Sequence, residues 1–212
     1  MDRPSVILET VQAPEVKQRR LPPQQRRTMI LAAARRCIAE RGMQAATARE
    51  VAAYAGVTTG TIMHHFPSMA GLLADALREG SEQFTDRTLA AAREHTGARA
   101  RLICLIDANL PDRPESAQQW RLWIELWGQA LLVPELAGVH AERHASQRRA
   151  LEQMLIEGVE QGQLEPVDCG QAAAELLALI DGLGLQAVIG DSEMTSARAR
   201  AVLIAWVDRL TT

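Results

Sequence analysis

Residues 47–67, TAREVAAYAGVTTGTIMHHFP, leave the chain few ways to fold. Thr47 stands where a helix N-cap belongs, and Glu50 three residues on predicts a capping box. The helix that follows runs to about Ala55. Val51 and Ala55 share its inner face, and Ala52 is small enough for a second helix to cross closely. Gly56 comes where the backbone needs positive φ to end one helix and reverse. Thr58 caps a second short helix with Ile62 and Phe66 inward, and Pro67 ends it. Two short helices around a tight turn describe a helix-turn-helix, whose second helix lies in the DNA major groove. An ordinary helical hairpin in an all-α core is the alternative, and its outer face is free to be charged. Here that face shows Thr58, Thr59, Gly60, Thr61, Met63 and His64, with no carboxylate to repel phosphates.

Gly56-Val57-Thr58-Thr59-Gly60-Thr61-Ile62, followed by His65-Phe66-Pro67-Ser68 and Gly71-Leu72-Leu73, resembles the signature of the tetracycline-repressor (TetR) family of bacterial transcription regulators. Ile30-Leu31-Ala32-Ala33-Ala34 and Gly42-Met43 are similar to that family's first helix and the loop after it. Two departures stand out: Met69 lies where the family usually has a phosphate-binding lysine, and Met63 where it often has tyrosine. Trp120-Arg121-Leu122-Trp123-Ile124-Glu125-Leu126-Trp127 and Ala178-Leu179-Ile180-Asp181-Gly182-Leu183 resemble the choline-responsive, betaine-pathway group of repressors. The resemblance implies a homodimeric, ligand-responsive regulator, with the fourth helix acting as a lever between head and body.

Charge distribution agrees with that reading. The net charge is −3, which alone argues against nucleic acid, but residues 1–70 hold 10 Lys+Arg against 5 Asp+Glu, a net +5. Residues 71–212 hold 13 against 21, a net −8. A basic head on an acidic body suits a DNA-binding module joined to a regulatory domain. Aromatics make up only 3% of the chain, and alanine and leucine abound, which favours helices over sheets. Cys37, Cys104 and Cys169 are scattered, without disulfide or metal spacing. No membrane-spanning or signal-peptide run is read, so a cytoplasmic protein is expected.

The fold expected is all-α, with about nine helices. Residues 1–21 read as a basic arm, with Lys17, Arg19 and Arg20 leading to Arg26 and Arg27. Residues 22–68 form a three-helix DNA-binding domain, and residues 69–212 a helical ligand-binding and dimerisation domain. Further helices are expected at about 98–109, 115–132, 134–161, 168–189 and 195–210.

Thr59, Thr61 and Arg49 are expected to read bases, with Met63 against a thymine methyl. Thr47, Thr58, His64 and Ser68 are expected at phosphates, with Gly60 among them. Trp120, Trp123 and Trp127, at i, i+3 and i+7, make either a core stripe or the wall of a ligand cavity. A flat or cationic effector would suit that wall, with Glu125 or Asp107 as counter-charge. Leu176, Leu177, Ile180, Leu183, Gly184 and Ala187, with Val202 and Trp206, are expected at a dimer interface, the placement that the resemblance implies; the alternative is that this face is core of the single chain, as some of it must be. His140 and His144 have the i, i+4 spacing of a metal pair, which keeps a metal-responsive regulator as an alternative. Their charged neighbours suggest a solvated face instead. An activator without a small-molecule response is a further alternative. No nucleophile grouping or phosphate-binding loop is present, so neither an enzyme nor a cofactor is expected.

Overall fold

The computed structural model describes residues 22–211, which form nine α-helices and, among the described residues, no strand. They are α1 (Pro23–Arg41), α2 (Ala48–Ala55), α3 (Thr59–His65), α4 (Met69–Arg93) and α5 (Ala98–Asn109). After these come α6 (Pro114–Ala130), α7 (Pro134–Glu160), α8 (Cys169–Ile189) and α9 (Ser196–Asp208). The arm expected over residues 1–21 lies outside the described residues.

Local chemistry places the helix starts. Thr47, Thr58, Ser68, Asp168 and Thr195 each accept a backbone N–H of the turn they cap, at 2.9–3.3 Å. Such caps are worth about 1 kcal/mol each. The capping box expected at Thr47 does not form. The Thr47 N–H donates to Ala45 O, and the Glu50 carboxylate turns outward to an ion pair with Arg41. A nearby guanidinium is a stronger partner for a carboxylate than a neutral amide. Gly56 adopts φ 64°, ψ 34°, the left-handed turn that separates α2 from α3.

Two apolar clusters hold the chain together. The first joins Ile30, Cys37 and Ile38 of α1 to Val51, Ile62 and Phe66 of the head and Leu72 of α4. It continues without a break into Leu122 and Leu126 of α6 and Leu136 and Val139 of α7. The apolar core therefore crosses the boundary expected at residue 68, and head and body share it. The second cluster fills the body between α5, α7, α8 and α9.

Helix α8 divides the residues expected at the dimer face between core and surface. Leu176, Leu177, Ile180 and Gly184 point into their own protomer, as does Trp206 of α9. A Cβ built on Gly184 would stand 2.1 Å from Trp120 Cζ2, so the glycine is there to let the indole lie against the helix backbone. The outward side of α8 is instead Ala178, Gly182 and Ile189, with Leu185 half-buried beside them. Ala201, Val202 and Ala205 are exposed on α9. Leu183 and Ala187 lie between the two sides. Because α8 is apolar almost all round, its period does not say which side faces the core.

Candidate functional site

Helix α3 presents Thr59, Gly60, Met63 and His64 outward, with Thr58 exposed at its cap and Thr61 half-buried. Thr58 Oγ1 and Thr61 Oγ1 are 3.0 Å apart, so the cap also steadies the side chain one turn on. Ile62 and Phe66 pin the helix from beneath. Thr47, Arg49 and Ser68 are exposed at the neighbouring helix starts. No carboxylate lies on this face of α3. Met69 opens α4 but packs partly against the head core. Arg27 is not a loose cation of the arm. It donates to Asp75 Oδ2 at 2.5 Å and lies over the Phe66 ring, 4.9 Å from its centroid.

Arg35 of α1 pairs with Glu79 of α4 at 3.0 Å, and two further links carry the head beyond α4 into the body. Asp75 is shared between Arg27 of α1 and Arg78 of α4 (2.9 Å), and Arg78 donates in turn to Glu142 of α7 at 2.8 Å. All are partly exposed, so each pair adds little stability, about 1 kcal/mol at most. Their value lies in tying three helices to one geometry. The second link is Glu125 of α6, whose Oε2 accepts the backbone N–H of Met43 at 2.8 Å. Neither Glu125 nor Asp107 is a counter-charge at the tryptophan face. Glu125 holds the head, and Asp107 is gripped by Arg200 through Nε (2.6 Å) and Nη2 (3.0 Å).

The three tryptophans differ. Trp120 is fully buried, donates Nε1–H to Asn109 O at 2.7 Å, and stands edge-on to both Trp123 and Trp127 at 5.3 and 5.8 Å. It is core. Trp123 is buried against Phe84, with ring centroids 5.2 Å apart. Trp127 is half-buried and lines a cleft of about 590 Å³ with His140, His144 and Asp181.

Sequence reasoning missed Arg143. Its position in ERHASQRR suggests a solvated face, yet the residue is 4% exposed. The guanidinium carbon lies 4.3 Å from the centre of the Trp123 ring and 5.9 Å from that of Trp127. Nη1 donates to Gln147 Oε1 at 3.2 Å, and Nη2 stands 3.6 Å from Asp181 Oδ1, too far for a hydrogen bond. Burial pulls its pKa down to about 10, against the pull of Asp181, so the group stays cationic at neutral pH. The sequence signal was present in weak form: Val139, Arg143 and Gln147 repeat at i, i+4, i+8 on the inner side of α7.

His140 and His144 are likewise corrected. They are half-buried, with rings 4.4 Å apart, and His144 Nε2 lies 3.2 Å from Asp181 Oδ2. Burial, then the neighbouring His144 and Arg143, lowers the pKa of His140. Among the described residues no group of three or more His, Cys, Asp or Glu is arranged to hold a metal.

Residues 30–76 match the family of bacterial regulatory proteins, tetR family, and residues 98–212 match the BetI-type transcriptional repressor C-terminal domain. The HTH-type transcriptional regulator BetI of Burkholderia thailandensis is 30% identical over 87% of this chain and 93% of its own length. Its namesake from Escherichia coli K12 is 30% identical over 84% of this chain and 89% of its own. A transcriptional regulator from Saccharomonospora viridis, solved in complex with choline, superposes with a TM-score of 0.81 at 28% identity. That match covers 89% of this chain and 99% of that one.

Proposed function

Because the chain belongs to the TetR family and carries a BetI-type repressor C-terminal domain, we propose that it is a cytoplasmic homodimeric repressor released from a palindromic operator by a small-molecule effector. It is a transcriptional regulator and not an enzyme. The observation that carries the reading is the outward face of α3, polar, small and free of carboxylates, on a helix pinned by Ile62 and capped by Thr58. In this reading Thr59, Thr61 and Arg49 read bases, and Met63 meets a thymine methyl. Thr47, Thr58, His64 and Ser68 hold phosphates beside Gly60, where the backbone comes close. Two heads on a two-fold axis require an inverted repeat, with half-sites roughly 34–36 Å apart or more.

The S. viridis regulator's choline complex supports a small-molecule effector. The body offers Trp123 and Trp127 as the aromatic side of a seat for it, with Trp120 behind them. The dimer is proposed to form through the outer faces of α8 and α9, centred on Ala178, Gly182 and Val202 with Leu183 and Ala187 at the margin. Effector binding changes operator affinity only by the difference in its affinity for the two arrangements of the heads. The Arg27–Asp75–Arg78–Glu142 chain and the Glu125–Met43 bond are the links through which the heads would feel it. Thr59→Asp tests the reading: it puts a carboxylate against the phosphates and should abolish operator binding without lowering the melting temperature. Retained operator binding would remove α3 from the DNA.

A further inference from the structure

The buried side-chain nitrogens without a hydrogen-bond partner gather in one place. Among the described residues they are Trp123 Nε1, Trp127 Nε1, His140 Nδ1, and Arg143 Nε and Nη2, while His144 Nε2 beside them faces Asp181 Oδ2 at 3.2 Å. All lie on the facing sides of α6 and α7. Unpartnered donors are costly in a protein interior, so such a concentration marks a place built for something that accepts hydrogen bonds.

An organic cation does not fit. The ring faces that would hold it are already covered from inside by Arg143, and a second positive charge there would be repelled at close range. Nor does a quaternary ammonium group offer an acceptor to the indole and guanidinium nitrogens. A carboxylate does. Nε and Nη2 form one edge of the guanidinium fork, the edge with which Arg200 takes Asp107 in two parallel bonds elsewhere in this molecule. On Arg143 that edge is buried and unpartnered, and Asp181 stands off from it at 3.6 Å. Arg143 also lines a cavity of about 280 Å³ between α4 and α7, where Arg78, Arg149, Ser81 and Ser146 add donors. Glu82 and Glu142 line it too, and Glu142 is the residue engaged by Arg78.

We propose that the site around Arg143 takes a small organic carboxylate, gripped by the Nε–Nη2 edge, rather than a quaternary ammonium. This rests on the reading of the chain as an effector-responsive regulator and names the chemical class of the effector. Asp181 is then a built-in competitor, a carboxylate held near the edge but not on it. The acid takes the edge, and its charge beside Arg78 competes with Glu142 for that arginine. The ion-pair chain toward Asp75 and α1 thereby changes.

The test uses the full chain and three monocarboxylates (acetate, octanoate and benzoate), with choline as the oppositely charged probe. Thermal shift and calorimetry read binding, and operator affinity is measured in parallel. At least one acid should raise the melting temperature and weaken operator binding, and choline should do neither. Arg143→Lys keeps the charge but loses the fork, and should weaken the acid by roughly tenfold or more. Asp181→Asn removes the competitor and should tighten it by roughly tenfold, so the proposal does not depend on the arginine variant folding. Stabilisation by choline alone, no response to any of the three acids, or an unchanged affinity in Asp181→Asn overturns it. Any of these results with operator binding intact leaves the regulator reading standing, whereas loss of operator binding in the unmodified chain removes that reading instead.

Discussion

Glu125 Oε2 accepts the backbone N–H of Met43 at 2.8 Å, a bond between the middle of α6 in the body and the turn that leads into the helix-turn-helix. A carboxylate on the helix that bears the three tryptophans thus fixes the start of the DNA-binding hairpin. Glu125→Ala leaves the Met43 N–H, on a buried residue, without an acceptor and should cost about 1–3 kcal/mol. Glu125→Gln keeps an acceptor oxygen and should stay close to the unmodified chain in stability and operator affinity. Chemical denaturation of both variants checks this. Equal losses in the two would mean that charge, and not this bond, is what matters there.

The tryptophan face should divide under truncation. Trp123→Ala removes a buried ring packed on Phe84, Trp120 and Arg143, and should cost about 3–5 kcal/mol. Trp127→Ala opens a wall of an existing cleft and should cost clearly less while altering the effector response. Gly184→Ala drives a methyl into Trp120 and should cost about 1–3 kcal/mol, lowering the melting temperature roughly 2–4 °C per kcal/mol. A Trp127→Ala loss as large as that of Trp123→Ala would make Trp127 core, and a silent Gly184→Ala would place Trp120 elsewhere.

Ala178→Arg should leave each protomer folded and prevent dimerisation, because Ala178 is exposed on the outer side of α8. Surface changes of this kind shift protomer stability by no more than about 0.5 kcal/mol. Leu177→Ala, one residue away but inward, should destabilise the protomer by about 2–5 kcal/mol. Sedimentation analysis beside thermal unfolding separates the two effects. A dimeric Ala178→Arg protein would move the interface away from this face.

Acid should weaken the fold in a defined window. Burial depresses the pKa of both His65 and His140 below the ordinary 6.5. Each resists protonation when folded and accepts a proton near pH 6.5 when unfolded. Stability is therefore full above about pH 6.5 and falls as the pH drops from there through the folded-state values. Urea unfolding at pH 7.5 and 5.5 should show the loss, and His140→Gln should reduce it. A profile that does not change between those values contradicts the burial of these rings.

Much of the architecture was legible because its signals are local. Thr47, Thr58, Ser68, Asp168 and Thr195 cap helices within one turn of themselves, and Gly56 and Pro67 interrupt the chain where the backbone must turn. The inner residues of α1 through α3 repeat at helical spacing, so the outward face of α3 could be placed by elimination. What was not legible depends on contacts across the fold. Arg143 reads as solvent-facing beside Glu142 and Arg148, and only the arrival of Trp123 and Asp181 from other helices makes it buried. Glu125 reads as a ligand's counter-charge until Met43 arrives from residues far away in the chain. Helix α8 carries apolar residues on both sides, and only packing against α7 and α9 decides which side is core.

The most direct test of the central claim is selection of duplexes from a randomised DNA pool by the purified chain, followed by sequencing of what it retains. The enriched sites should share an inverted repeat with half-sites roughly one helical turn apart or more, and the Thr59→Asp chain should enrich nothing. Selected sites should bind roughly 10³-fold or more tighter than random duplex at the same salt. Enrichment of sequences without two-fold symmetry, or no enrichment over the input pool, would contradict a homodimer reading DNA through α3.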